Sequence, residues 1–359
     1  MKSLFLSLLI LTSSLNSAYF HQSREQLLNF FAQNLSFEEK LGQLLMFNIN
    51  PQALNNNFIE QLIKVYKIGG FNLIGGYQNK NEVIKIISSL KQINQENSFL
   101  PLFLAVDQEG MINRLLFLKE IPQKDLKNQN EAYKESWRRG RDLKNLGFNI
   151  IFSPVLDWTD KPLDYIWSRT FQKSKEQSIE LALAMIKGYQ KAGIFSILKH
   201  FPGYTQSAAN PHGINYPDMK IENLLPTIAV FQETIRHIQP PNIDGIMVAH
   251  LKIEGFNEIT TQSSDFLQYA KKTLNYDGLY FTDSIGMKSF LGDDTSYEKA
   301  VYQAILSGYQ LVILSSNTEV SLKIINYLKN KLSEPDFQKI IDSSFKDILR
   351  QKLKLISSS

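Results

Sequence analysis

The sequence predicts a single α/β domain folded as a (β/α)₈ TIM barrel, and three observations favour it. Eight short apolar runs alternate with amphipathic helical stretches along the chain. The runs are apolar almost throughout, as in parallel strands that helices cover on both faces. No linker divides the 359 residues, and 43% of them are hydrophobic, enough for one large core. An open doubly wound sheet is the alternative, but no glycine-rich dinucleotide loop follows the first run.

The period of the apolar residues places the individual elements. Ser36 and Glu39 have the spacing of a capping box, which predicts a helix start at this point. The strands are predicted at residues 42–49, 70–74, 100–106, 150–156, 194–198, 243–249, 278–282 and 310–314. Helical patterns occur, among others, at residues 26–33, 81–93, 131–146, 175–192 and 221–237.

The start of the chain is typical of a secretory signal peptide. Lys2 precedes an apolar stretch at residues 4–11, and small or polar residues follow up to Ala18. The apolar stretch is shorter than the ~20 residues of a membrane span. We therefore expect residues 1–18 to be a signal peptide, residues 19–359 to form the barrel domain, and the protein to be exported. An uncleaved N-terminal anchor is the alternative.

Composition excludes several kinds of partner and chemistry. The formal net charge is only +4, and the basic residues are interleaved with acidic ones, which argues against nucleic acid as a partner. The chain has no cysteine, so disulfides, thiolate metal sites and a cysteine nucleophile are excluded. We expect a monomer that needs no cofactor and has no membrane span after the signal peptide is removed.

Polar side chains gather where the predicted strands end. In a barrel the carboxyl ends of all strands meet at one face, which is where TIM-barrel enzymes hold their active sites. The residues at these ends and in the loops that follow are Asp107, Arg114, Asp157, Arg169, Lys199, His200, His212, Met247, His250 and Asp283. Any one of them could be a helix cap or a buried ion pair, but the whole set indicates an active site.

These residues lie in sequence blocks that resemble glycoside hydrolase family 3, and within it the single-domain β-N-acetylglucosaminidases. Six blocks match the family pattern in order over most of the chain. They are Asp107-Gln108-Glu109-Gly110, Pro154-Val155-Leu156-Asp157, Arg169-Thr170-Phe171, Lys199-His200-Phe201-Pro202-Gly203, Met247-Val248-Ala249-His250 and Thr282-Asp283-Ser284-Ile285-Gly286-Met287.

The resemblance implies a role for each matching residue. Asp283 corresponds to the catalytic nucleophile of a retaining glycosidase, and His212 to the general acid/base, a function that most glycosidases give to a second carboxyl group. Asn210 stands where the partner aspartate of that histidine would be. The positions that hold the sugar are Asp107, Arg114, Arg169, Lys199, His200 and Met247, with His250 beside them. The implied substrate is a terminal β-linked N-acetylglucosamine, for instance in peptidoglycan fragments; plain β-glucosides remain open.

Three departures from the family pattern leave other functions open. Asn210 and Pro211 replace Asp-Ser before the histidine, and asparagine cannot stabilise an imidazolium ion by charge. The loop after Glu109 is shortened and lacks one arginine, and Tyr204-Thr205-Gln206 replaces His-Gly-Asp. The alternatives are a sugar-binding pseudoenzyme and a glycoside phosphorylase. A metal-dependent hydrolase is disfavoured, because the histidines lack the helical ligand spacing and Lys199 adjoins them.

Overall fold

The computed structural model describes residues 17–50, 56–204, 219–238, 243–286, 290–291, 296–314 and 317–357. Its centre is a closed barrel of eight parallel strands in sequence order, which confirms the predicted fold class. The strands are β1 Leu45–Ile49, β2 Gly70–Leu73, β3 Phe103–Val106, β4 Ile150–Ile151, β5 Phe195–Phe201, β6 Gly245–Val248, β7 Tyr280–Ser284 and β8 Leu311–Leu314. β1 pairs with β8 from Leu45↔Val312 to Phe47↔Leu314, and this pairing closes the barrel.

Helices surround the barrel and bury their apolar faces against it. They are α1 Ser17–Asn34, α2 Phe37–Gln43, α3 Asn56–Lys64, α4 Lys80–Asn97, α5 Gln129–Leu146, α6 Lys175–Ala192, α7 Ile221–Ile238, α8 Ser264–Leu274, α9 Tyr297–Leu306, α10 Thr318–Asn330 and α11 Pro335–Ser357. The capping box of Ser36 and Glu39 is present at the start of α2, as predicted. None of the described helices is both long and apolar enough to span a bilayer.

Six of the predicted strands are shorter in the structure, and the first and the fourth differ for identifiable reasons. Residues 42 and 43 belong to α2 rather than to the first strand, because the capping box starts a helix that runs to Gln43. The fourth strand comprises only two residues, and Pro154, which has no N–H to donate, lies three residues after it. The chain rejoins the barrel at Val155, which forms an isolated bridge to Lys199.

Two other strands extend further than predicted, and both extensions carry candidate site residues. β5 continues through Lys199 and His200 to Phe201, and β7 continues through Asp283 to Ser284. The register with the next strand shifts between Leu198 and Phe201, and again between Phe281 and Ser284. Irregularities of this kind redirect side chains near active sites. Here they lie at the positions of Lys199, His200 and Asp283.

Candidate active site

A cavity of about 360 Å³ lies at the carboxyl ends of the strands. This volume is in the range of small-molecule binding sites. Its walls come from the ends of several strands and from the loops that follow them. They include Asn48, Asn72, Asp107, Glu109, Arg114, Phe152, Tyr165, Arg169, Lys199, His200, Tyr204, Met247, Asp283 and Ser284. Most of the sequence-predicted site residues therefore line one cavity.

A buried network of opposite charges forms one wall of this cavity. The Lys199 Nζ donates to Asp107 Oδ1 at 2.7 Å and forms an ion pair with Glu109. Arg169 binds Glu109 through two hydrogen bonds of 2.9 and 2.7 Å. Burial raises the pKa of Glu109, but Arg169 and Lys199 together hold it well below its ordinary value. Glu109 therefore remains ionised and keeps both cations in place.

His200 is held between two charged neighbours. Its Nδ1 lies 2.8 Å from Asp157 Oδ2, and an Arg169 guanidinium nitrogen lies 3.1 Å from its Nε2. An ionised carboxylate can only accept, so Nδ1 donates to Asp157. The second oxygen of Asp157 accepts the backbone N–H of Tyr204 at 2.6 Å. Asp157 thus holds both ends of the turn that follows Lys199.

That turn depends on a glycine. Gly203 has a φ of +125°, and a Cβ built there would lie 2.7 Å from Thr227 Cγ2. Any other residue would therefore have a strained backbone here, and its side chain would clash with Thr227 of α7. Tyr204, the next residue, lines the cavity.

Asp283 lines the cavity from the end of β7. Its Oδ1 accepts the backbone N–H of Ser284 at 2.7 Å, and its Oδ2 accepts the Tyr204 hydroxyl at 2.9 Å. Burial raises the pKa of Asp283, but the imidazoles of His200 and His250 and these two hydrogen bonds outweigh it and lower the pKa below its ordinary value. The carboxylate is therefore ionised, oriented and open to the cavity.

The remaining predicted residues occupy different places. Arg114 and Met247 line the cavity, and the Arg114 Nε has no hydrogen-bond partner among the described residues. His250 is fully buried, with Nδ1 2.8 Å from Thr261 Oγ1 and Nε2 3.1 Å from the Ser284 carbonyl. It supports the cavity from behind and is not among its lining residues. His212 and Asn210 lie outside the described residues.

The sequence did not predict a functional role for several residues that line the cavity. Glu109 stands inside a matching motif, so the motif itself could have identified it. Asn72 Nδ2 donates to Asn48 Oδ1 at 2.9 Å, and Asn48 Nδ2 donates to the Ser284 hydroxyl at 2.8 Å. These two asparagines are the polar positions in otherwise apolar strands, which is the one sequence signal that could have found them. In the described part of the chain, no cluster of three His, Asp or Glu side chains is arranged for a metal ion.

A second, larger cavity lies elsewhere. It measures about 740 Å³ and is lined by residues of α5, α6 and α7, on the outside of the helix layer. The charge network and Asp283 are at the strand ends, so this outer cavity plays no part in the arrangement described above.

Comparison with known proteins places the chain in a family. Residues 36–351 match the model of the glycosyl hydrolase family 3 N-terminal domain. A β-hexosaminidase A of Pseudoalteromonas piscicida is 29% identical over 64% of this chain and 43% of its own length. The β-hexosaminidase LpqI of Mycobacterium tuberculosis is 27% identical over 80% of this chain and 75% of its own length.

Solved structures agree with these sequence relatives. A glycoside hydrolase family 3 β-N-acetylglucosaminidase from a Paenibacillus species superposes with a TM-score of 0.80 at 25% identity, covering 90% of this chain. The match spans 64% of that enzyme, so this chain corresponds to only part of it, and to less than half of the Pseudoalteromonas relative. With its barrel, its strand-end cavity and a family match over most of its length, the chain belongs to glycosyl hydrolase family 3.

Proposed function

We propose that the protein is a retaining glycoside hydrolase of the β-N-acetylhexosaminidase type, which removes terminal β-linked N-acetylglucosamine. The observation that carries this proposal is the Asp283 carboxylate, which is ionised and shares one cavity with Lys199, Asp107 and Arg169. The similarity to β-hexosaminidases supports the choice of sugar.

In the proposed first step, a carboxylate oxygen of Asp283 attacks the anomeric carbon of the bound sugar. The carbon–oxygen bond to the leaving group breaks, and the leaving oxygen takes a proton from His212. In the second step a water molecule gives a proton back to His212 and attacks the same carbon, which releases Asp283. Asn210 would orient the imidazole by accepting a hydrogen bond from it.

The charge network would hold the sugar during both steps. Asp107 can accept hydrogen bonds from sugar hydroxyls, and Arg114 and Arg169 can donate to them. Because Lys199 is fixed by both Asp107 and Glu109, the network is in place before the substrate arrives. A sugar lacking a matching hydroxyl would leave buried groups unpaired, so the site would discriminate against it.

The proposal is tested by replacing the nucleophile. Asp283→Asn should lower the release of nitrophenol from an aryl β-N-acetylglucosaminide by roughly 10³-fold or more, because the amide cannot form the glycosyl-enzyme. An aryl leaving group needs little protonation, so the assay does not depend on His212. The matched control is Asp277→Asn, which changes an exposed carboxylate just before the same strand and should leave the rate unchanged.

Three results would contradict this function. Equal rates in the wild type and in Asp283→Asn would exclude Asp283 as the nucleophile. Binding of N-acetylglucosamine in calorimetry without any turnover would favour a sugar-binding protein. Release of sugar 1-phosphate that depends on added phosphate would favour a phosphorylase, in which an acid/base histidine would repel the phosphate anion less than a carboxylate would.

The cellular setting is part of the same proposal. If residues 1–18 act as a signal peptide, the exported protein would meet cell-wall or extracellular glycans such as peptidoglycan fragments. Mass spectrometry of the N-terminus of the exported protein would test this, and a mature chain that still begins at Met1 would contradict cleavage.

A further inference from the structure

Tyr204 lines the same cavity as the candidate nucleophile Asp283 and contacts it directly. It follows Gly203 in the turn after β5, and only 3% of its surface is exposed. Its ring packs against His200 with 5.1 Å between the ring centroids. The family pattern has histidine at this position, so the tyrosine is a property of this chain rather than of the motif.

The hydrogen bonds of Tyr204 leave its hydroxyl only one orientation. The phenol oxygen lies 3.1 Å from the backbone nitrogen of His250 and 2.9 Å from Asp283 Oδ2. A backbone N–H can only donate, so the phenol oxygen accepts from His250. Its own hydrogen is then directed to the Asp283 carboxylate. In the ionised form, this carboxylate is an acceptor only.

The position of the hydroxyl is fixed from both sides. Asp157 accepts the backbone N–H of Tyr204 at 2.6 Å and so anchors the residue to β4's loop. His250 anchors the phenol oxygen to the end of β6. The Ser284 N–H donates to the other oxygen of Asp283. Each carboxylate oxygen therefore accepts one hydrogen bond, and the two bonds fix the orientation of the carboxylate plane.

We propose that Tyr204 is a positioning residue that keeps Asp283 ionised and aims its carboxylate at the anomeric carbon. The role of Asp283 as the nucleophile rests on the function proposed above, but the hydrogen bond and its effect on ionisation do not. Hydrogen bonds to a charged acceptor are stronger than those between neutral groups, so this donor favours the ionised carboxylate.

Other groups around Asp283 also bear on its ionisation. The groups that lower its pKa are His200, His250, the Ser284 N–H and Tyr204. The further titratable or charged residues that line the same cavity are Asp107, Glu109, Arg114, Tyr165, Arg169 and Lys199. The Tyr204 hydroxyl can be removed without changing any of these side chains, which makes its contribution separable.

The experiment compares Tyr204→Phe with Tyr280→Phe. Tyr280 begins the strand that ends near Asp283, and its buried hydroxyl donates to the Tyr276 carbonyl at 2.9 Å. Both variants therefore lose one buried hydroxyl, but only the first loses the donor to Asp283. Carboxyl groups are followed by ¹³C NMR in protein with labelled aspartate, and the Asp283 signal is identified by its loss in Asp283→Asn.

We expect the Asp283 signal to titrate at a higher pH in Tyr204→Phe than in the wild type. In Tyr280→Phe it should titrate at the same pH as in the wild type. The acidic limb of kcat/KM for an aryl glycoside should move upward in the same variant, and kcat/KM should fall about 10- to 100-fold. A purely structural effect would lower the rate without moving the limb.

Two results would overturn the proposal. One is an unchanged Asp283 titration in folded Tyr204→Phe. The other is a wild-type Asp283 that titrates at or above about 4, the ordinary aspartate value. Absence of turnover in the wild type would instead contradict the proposed hydrolase function and leave the NMR comparison intact.

Discussion

Buried carboxylates in this protein differ in what surrounds them, and their pKa values differ accordingly. Glu109 lies between two cations, which hold its pKa well below the ordinary value despite burial. Asp244, at the start of β6, accepts one hydrogen bond, from the Ser196 backbone N–H at 2.9 Å. Burial raises the pKa of Asp244 to about 6. One backbone donor and the charge of Lys354 do not offset the loss of hydration at Asp244, whereas the two cations bound directly to Glu109 do.

Asp244 should therefore make the stability depend on pH. Its folded-state pKa lies above the unfolded value, so its contribution is fully present below pH about 4 and is lost as the pH rises through about 6. An asparagine oxygen can accept the same hydrogen bond without a charge. We expect Asp244→Asn to raise the free energy of unfolding at pH 7 by up to about 3 kcal/mol, and to change it little at pH 4.

Urea unfolding at both pH values measures this difference, with the exposed Asp277→Asn as the control variant. A variant whose stability differs from the wild type by the same amount at pH 4 and pH 7 would contradict a raised pKa of Asp244.

At the scale of elements, helix α5 supports the loop that carries the charge network. Arg139 is fully buried and binds Glu120 at 2.7 Å and Glu135 at 3.1 Å. Glu120 in turn accepts from the Gln108 side chain at 3.3 Å, and Gln108 Oε1 accepts the backbone N–H of Arg114 at 3.0 Å. A chain of polar contacts thus joins a helix of the outer layer to the loop between Asp107 and Arg114.

Arg139→Leu should destabilise the protein strongly, because it leaves the buried Glu120 with a weaker set of partners. Breaking one side of a buried ion pair typically costs about 3–5 kcal/mol. Arg141→Leu is the matched control, since Arg141 lies on the same helix, is about half exposed and should change stability by less than about 0.5 kcal/mol.

Thermal and urea unfolding of the two variants measure this directly. Equal stabilities in Arg139→Leu and Arg141→Leu would mean that the buried ion pairs of Arg139 do not stabilise the folded protein. If the network also positions the sugar-binding loop, the affinity of Arg139→Leu for N-acetylglucosamine should fall, while that of Arg141→Leu should not.

At the scale of the whole molecule, the last helix, α11, packs against α2 and against the residues that precede β1 and β2. Lys352 of α11 is fully buried and donates to Gln43 Oε1 at 2.7 Å and to the Gly69 carbonyl at 2.8 Å. Lys40 of α2 binds Asp342 of α11 at 2.6 Å. α11 therefore holds the region where β1 and β2 begin, next to the β1–β8 pairing that closes the barrel.

Lys352→Ala should lower the free energy of unfolding by at least about 2 kcal/mol, because it leaves Gln43 Oε1 without its donor and opens a cavity. Lys346→Ala removes a half-exposed lysine from the same helix and should change stability by less than about 0.5 kcal/mol. Unfolding in urea compares the two. A Lys352→Ala protein as stable as Lys346→Ala would show that α11 does not contribute to barrel closure through this residue.

The sequence alone was sufficient for the barrel and for most residues of the cavity. Apolar runs alternating with amphipathic stretches require a parallel sheet with helices on both faces, and parallel strands necessarily end on one side. Asp107, Lys199 and Asp283 follow or end such runs, so their meeting could be predicted without coordinates. The roles given to them by family resemblance, and those of His212 and Asn210, stay predictions.

The tertiary structure alone decided how those residues are oriented. The register shifts in β5 and β7, the hydrogen bond between His200 and Asp157 and that between Tyr204 and Asp283 depend on contacts between residues about 30 to 80 positions apart. Periodicity and local propensity describe only neighbours along the chain, and they contain no term for such contacts. The burial, hydrogen-bond directions and ionisation of the cavity side chains depend on residues from several separate strands. Only the folded chain brings these residues together.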